Sequence, residues 1–351
     1  MAEPDIRLPD TARLVVSTSP HFHDDQDVRR IMLTVVATLL PACLAGAWFF
    51  GPRALLVLAV CSGGCVGFEW LFARWLGHQK NSIGDYSALV TGLLLGMNLS
   101  AGTPIWICLV GALIAIAFGK MIYGGLGYNP FNPALVGRVA LLIACPTALT
   151  TWVRPDGPAM WARNVDGMTG ATPLGVLGMV KQWDPAQILA TADGGSLSVL
   201  DLFLGHQGGC IGETSALALL LGGLYLMHRR IIRWQTPLAF LGTVVVVTGI
   251  AHAVAPGQYA PPWFHLLTGG LFLGAFFMAT DMVTSPMSPL GNTVFGIGCG
   301  LITCVIRIWG AYPEGVSFSI LFMNALVPLI DRATATRPFG YVPPKKKEAA
   351  A

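Results

Sequence analysis

Ten apolar runs separated by short polar breaks constrain this chain more than any other feature. They lie near 31–50, 54–76, 84–99, 104–122, 131–149, 212–228, 236–255, 264–280, 291–309 and 316–331. Charged residues make up only 11% of the sequence, whereas soluble domains carry roughly 25%. Backbone with so few charges is tolerable in lipid where helices satisfy their own hydrogen bonds. The expected fold is therefore an all-α polytopic membrane protein of about ten transmembrane helices. Several runs are nearer sixteen residues than the roughly twenty a straight span needs, which predicts short or broken helices buried against neighbours.

Lys and Arg positions orient the spans. With the N-terminus inside, fifteen of the 21 Lys/Arg fall on the cytoplasmic side. Arg53, Arg154, Arg163, Lys181 and Arg307 fall outside, and Arg138 sits within a span. That bias follows the positive-inside rule and places both termini in the cytoplasm. Residues 1–30 hold no charged-then-apolar leader with a small-residue cleavage site, so the first apolar run is expected to act as a signal anchor. A net charge of +3 gives no support to a nucleic-acid partner.

Leu89-Val-Thr-Gly-Leu-Leu-Leu-Gly96 echoes Leu267-Thr-Gly-Gly-Leu-Phe-Leu-Gly274. Each copy leads through a further span to a Gly/Tyr turn and a final span. Five helices per copy is an odd number, so the copies must have opposite membrane orientation, an architecture that forms sites near the midplane. The predicted organisation is a cytoplasmic segment 1–30, a first five-helix repeat 31–149, an outer loop 150–211, a second repeat 212–331 and a basic cytoplasmic tail 332–351.

The outer loop contains Asp166-Gly-Met-Thr-Gly-Ala-Thr172-Pro. This stretch is small, Gly-punctuated and irregular in prospect, with an acid at one end and a hydroxyl six residues later. Pro173 biases Thr172 towards an extended backbone. Such a segment can enter another enzyme's active site and offer its hydroxyl; a turn followed by a Thr cap would also account for it.

The stretch matches the Asp-Gly-x-[Ser/Thr]-x-Ala-Thr flavinylation motif that bacterial FMN transferases recognise in their acceptor proteins. The rest of the chain resembles the D-type subunits of Rnf ion-translocating oxidoreductase complexes and their relatives, the B-type subunits of sodium-pumping NADH:quinone oxidoreductases. Ser19-Pro-His21, TGLLLGMNLS, GKMIYGGLGYNPFNPALVG, GETSALALLLGG, HLLTGG, GAFFMATDMVTSP and YPEGVSFSILFMNALVPLID carry the resemblance, in order, over essentially the whole chain. It implies that Thr172 bears FMN through a phosphodiester bond. It also implies that Asp166, Gly167, Thr169, Gly170 and Ala171 are recognition residues for the transferase. A phosphate linkage leaves the isoalloxazine free for one-electron chemistry. Arg154 and Arg163 can pair with the phosphate or remain solvated loop arginines. The implied partners are the other subunits of a complex in the bacterial inner membrane, among them a second covalent-flavin subunit and iron–sulfur subunits, besides lipid.

Further polar residues interrupt the spans. Gly124, Gly125, Asn129 and Asn132 form a glycine-rich turn, and Thr280 and Asp281 occupy the comparable break in the second half. Related complexes are thought to hold riboflavin in the corresponding chain, so these residues are a candidate noncovalent flavin site; a re-entrant turn with Asn caps is the plainer reading. Glu69 reaches Arg74 only across five residues, and Glu213 at the start of a span suits a helix N-terminus better than an ion relay. None of the eight cysteines forms a Cys-x-x-Cys pair, and no histidine set makes a metal site. Five-plus-five inverted repeats also build solute channels, which have no reason to carry the Asp166–Thr172 motif. A purely structural anchor is the third alternative.

Overall fold

The computed structural model describes residues 27–75, 82–155, 170–190, 196–310, 312 and 314–335. The first half runs α1 (Val28–Phe50), α2 (Pro52–Trp75), α3 (Ser87–Met97), α4 (Ile105–Ala117) and α5 (Pro133–Ala144). The outer segment carries short helices α6 (Pro146–Thr150), α7 (Pro173–Val180), α8 (Pro185–Ile188) and α9 (Val199–Leu204). The second half has α10 (Ala216–His228), α11 (Gln235–Val254), α12 (Pro262–Leu267), a turn at Leu271–Leu273 running into a π-helical turn at Gly274–Met278, then α13 (Pro289–Trp309) and α14 (Val316–Ala333). Among the described residues there is no named strand, and six helices, α4 being taken on through the following turn to Tyr123, are long and apolar enough to cross a membrane. The chain is a multi-pass membrane protein.

Three apolar helices are shorter, at 11, 12 and 13 residues for α3, α5 and α10. At about 1.5 Å per residue they cover little more than half of a hydrocarbon core of about 30 Å. Their polar ends therefore lie at depth, walled by neighbouring helices. The predicted eighth span, 264–280, is split at Thr268–Gly270, where Gly269 takes a φ of +76°. The fifth is interrupted at Cys145–Pro146.

Four helices start in the same way. Asn132, Thr172, Asp184 and Ser288 each cap a helix whose first residue is proline, and each side chain accepts a bond from a backbone N–H in the first turn. The cap satisfies an orphan donor, and proline fixes φ where its missing N–H costs nothing.

Packing order recurs in the two halves. α2 packs on α4 as α11 packs on α13, and α4 packs on α5 as α13 packs on α14. α1 against α10 and α5 against α14 join the halves. The close approaches need glycine: a Cβ at Gly92 of α3 would lie 2.5 Å from Ser62 Cα on α2, and one at Gly296 of α13 would lie 2.6 Å from Thr236 O on α11. The outer segment docks through its own apolar cluster, Leu174, Ile188, Ala260 and Phe264, with Trp183 edge-on to Phe264 at 5.1 Å.

Candidate functional site

Thr172 lies at the start of α7, nine-tenths buried, with extended backbone. Its Oγ1 accepts from Gly175 N at 2.9 Å, so the capping reading of the sequence holds. Gly170 N donates to Trp152 O at 3.0 Å, which brings the two ends of the 156–169 stretch together. Arg154 packs over Gly170, where a Cβ would meet its Cδ at 2.9 Å. Of the residues singled out around the motif, Gly170, Ala171, Thr172 and Arg154 are thus assembled in one place. Asp166, Gly167, Thr169 and Arg163 lie outside the described residues.

Thr172 and Ala171 line a cavity of about 260 Å³ between the outer segment and the bundle. Trp152, Tyr312 and Phe318 supply aromatic walls, and the exposed Met179 stands at its mouth. The floor is polar and made by Asn98, Arg138, Glu213, Glu314 and Ser317. Sequence reasoning noticed Arg138 and Glu213 as interruptions but passed over Glu314 within the Tyr-Pro-Glu-Gly turn. Its signal was an acid in a turn that the repeat itself had flagged. Glu213 does not cap a helix: it sits in the turn Ile211–Glu213, and Ser215 caps α10.

A second cavity, of about 90 Å³, opens at the other ends of these helices. Asn129, Asn132, Thr280 and Asp281 line it, as grouped in the sequence, whereas Gly124 and Gly125 do not. Those glycines hold the turn after α4, at φ of +110° and +100°. Asn132 caps α5 through Ala134 N and Leu135 N, while Asn129 Oδ1 is buried without a partner. Asp281 accepts from Val283 N and from the Thr284 hydroxyl.

The inner cavity also reaches a buried ion pair that the sequence did not reveal. Lys120 Nζ lies 2.7 and 2.8 Å from the Glu69 carboxylate oxygens and 2.5 Å from Ser87 Oγ. Glu69 therefore pairs with Lys120 and not Arg74, and Lys120, counted as cytoplasmic, is enclosed. Arg307, counted as outer, is also buried, donating to His265 O at 2.6 Å and Thr268 O at 3.2 Å.

The two cavities share no lining residue. Between them, Asn98 Nδ2 lies 3.7 Å from Met278 Sδ, and Asn132 Nδ2 donates to Met278 O at 3.2 Å. α5 connects their walls: Arg138 is six residues beyond Asn132, about 9 Å along the helix axis.

The model of the NQR2, RnfD, RnfE family matches residues 15–340. The chain belongs to that family. The D subunit of a proton-translocating ferredoxin:NAD(+) oxidoreductase complex, from Clostridium ljungdahlii, is 43% identical over 325 residues, covering 93% of this chain and 96% of the relative. The D subunit of a Na(+)-translocating ferredoxin:NAD(+) oxidoreductase complex, from Acetobacterium woodii, is also 43% identical, over 340 residues, covering 96% and 98%. The D subunit of an ion-translocating oxidoreductase complex, from Stutzerimonas stutzeri, is 43% identical over 330 residues, covering 89% and 92%. The resemblance read from the motifs is thus to the family that the whole chain matches. Two family members at equal identity to this chain are named for different ions, so membership does not select one.

Proposed function

We propose that this chain is the D-type membrane subunit of an ion-translocating ferredoxin:NAD oxidoreductase complex, that it carries FMN covalently on Thr172, and that it passes electrons across the bacterial inner membrane as the complex moves Na⁺ or H⁺. The observation that carries this reading is the placement of Thr172 at the lip of a walled cavity, with Arg154 packed on the adjoining glycine of the motif.

The residues present fit the group. A phosphodiester at Thr172 lies at the N-terminus of α7, where the helix dipole favours negative charge. Arg154, beside Gly170, is placed to pair with the phosphate. The cavity approaches the lower end of the range of about 300–1,000 Å³ typical of ligand sites and has aromatic walls for a ring system. Bound there, FMN supplies one-electron chemistry. The chain's own residues tether it, exclude water through Trp152, Tyr312 and Phe318, and set the charge beneath it. This reading places 150–211 in the periplasm and both termini in the cytoplasm. It implies maturation by an FMN transferase and, around the chain, a second covalent-flavin subunit and iron–sulfur subunits.

The inner cavity fits riboflavin less well. Asn129 Oδ1 offers an acceptor for a ring N–H, but about 90 Å³ is well short of a ligand-sized site. No electron step is assigned to it. A solute pore is disfavoured because the septum at Met278 separates two cavities with no common lining.

The test is flavin fluorescence of the denatured, gel-separated chain co-expressed with an FMN transferase. A fluorescent wild-type band that is lost in Thr172→Ala supports the tether. A dark wild-type band, with the transferase active on a control protein, removes it and favours the pore or anchor readings.

A further inference from the structure

Tethering at Thr172 leaves the cavity floor without a role. Arg138 reaches up from α5 and forms an ion pair with Glu314. It also donates to Asn98 Oδ1 at 2.6 Å and Ser317 Oγ at 3.0 Å, and contacts Cys210 Sγ at 3.6 Å. Glu314 accepts a further bond from Gly270 N at 2.8 Å. Glu213 stands against this group, with carboxylate oxygens of Glu213 and Glu314 and the sulfur of Cys210 all within 4.8 Å of one another. The guanidinium of Arg138 already holds Glu314 and contacts Cys210, so the cluster has its cation built in. Glu213 and Glu314 are contributed from either side of α10–α13, and both line the cavity that Thr172 lines.

Two carboxyls in contact and shielded from water cannot both ionise cheaply; one of them keeps a proton. Arg138 is bonded to Glu314, whereas among the described residues no ion pair reaches Glu213. Arg307 on α13 is the other cation facing the pair, and it directs its η nitrogens to the carbonyls of His265 and Thr268. His265 lies behind Arg307, and Cys210 is the remaining titratable neighbour. Adding an electron to a ring above this floor places new negative charge in a low-dielectric space, where its cost is large unless a proton follows it.

We infer that Glu213 and Glu314, steadied by Arg138, form the proton-exchanging pair for the flavin on Thr172. The inference rests on the tethering reading above. When an electron arrives from the redox partner, the O–H bond of the pair breaks and its proton moves to a ring nitrogen. The two carboxylates left behind face Arg138. When the electron leaves, the proton returns to the pair, so that one electron and one proton enter and leave the ring together and none is consumed. Asn98 and Ser317 fix the guanidinium so that it accommodates both charge states without moving.

The experiment is reduced-minus-oxidised infrared difference spectroscopy on the purified, flavinylated full-length chain, beside Glu213→Gln, Glu314→Gln and Glu213→Asp. Gel fluorescence is recorded first for each. The wild type is expected to lose a protonated-carboxyl band, shifted in D₂O, as the flavin is reduced. Either Gln variant should abolish that loss while keeping the fluorescent band, and should slow reduction by about 100-fold, the scale of a lost general acid. Glu213→Gln should melt with the wild type, whereas Glu314→Gln, which takes the carboxylate from buried Arg138, should melt lower. Glu213→Asp should restore the band at a displaced position. A fluorescent wild type with no carboxyl loss overturns the pair and leaves the tether standing, as does a band that persists in both Gln variants. A dark wild type overturns both readings.

Discussion

Lys120 brings its ammonium to both carboxylate oxygens of Glu69 inside the bundle, and neither side chain is more than 2% exposed. A buried pair of this kind contributes little net stability over apolar residues of the same shape, because desolvation offsets the attraction. Its loss is another matter. Lys120→Met should leave Glu69 enclosed without a cation and destabilise the fold by about 3–5 kcal/mol. Adding Glu69→Leu should recover most of that loss. Thermal unfolding of the two variants in detergent checks it, and a Lys120→Met protein that melts with the wild type would show the pair to be solvated. At this scale the sequence was legible where residues are contiguous: Thr172-Pro173 reads as a cap followed by a first-turn proline. It was illegible where partners are distant. Glu69 meets Lys120 across 51 residues and Arg138 meets Glu314 across 176, separations that no local pattern encodes.

At the scale of elements, apolar length and glycine placement decide how helices stop and how closely they approach. The runs predicted at 84–99 and 212–228 proved shorter still in α3 and α10, and 131–149 stops as α5 after twelve residues, with Asn98, Asn132 and Ser215 as polar ends within the bundle, whereas 316–331 forms the 18-residue α14. The split of 264–280 was less legible. His265 and Thr268 are the only polar residues before its last position, and only Thr268-Gly269-Gly270 marks the break. Gly92 offers a sharp test of the packing. Its position on α3 leaves no room for a methyl group against the α2 backbone, whereas Gly63 on α2 has nothing within 4 Å of a built Cβ. Gly92→Ala should lower the melting temperature, at a cost of about 1–3 kcal/mol from overpacking. Gly63→Ala should be neutral or stabilising, since alanine is the better helix former by roughly 1 kcal/mol. Equal melting of the two variants would mean that α2 and α3 slide apart without penalty.

For the whole molecule, the question is which face carries Thr172. If the ten runs cross in alternation, as the sequence leads us to expect, one sided label fixes every other segment. Arg229, Arg230 and Arg233 lie between α10 and α11, at the end of α10 away from the outer segment, and the positive-inside rule leads us to expect that face in the cytoplasm. Burial of Lys120 and Arg307 removes one cation from each side of that count and leaves the bias intact. Of the native thiols, seven are buried and Cys145 is half-buried, so an impermeant maleimide reads mainly introduced cysteines. Gln187→Cys on α8 and His228→Cys at the end of α10 are both exposed positions outside the cavities. In intact spheroplasts the first should label at once and the second only after permeabilisation. The reverse pattern would place Thr172 in the cytoplasm and turn the cavity with the Arg138 floor towards the inside. An electron would then reach the flavin from the ferredoxin side directly, and the transmembrane step would have to lie elsewhere in the complex.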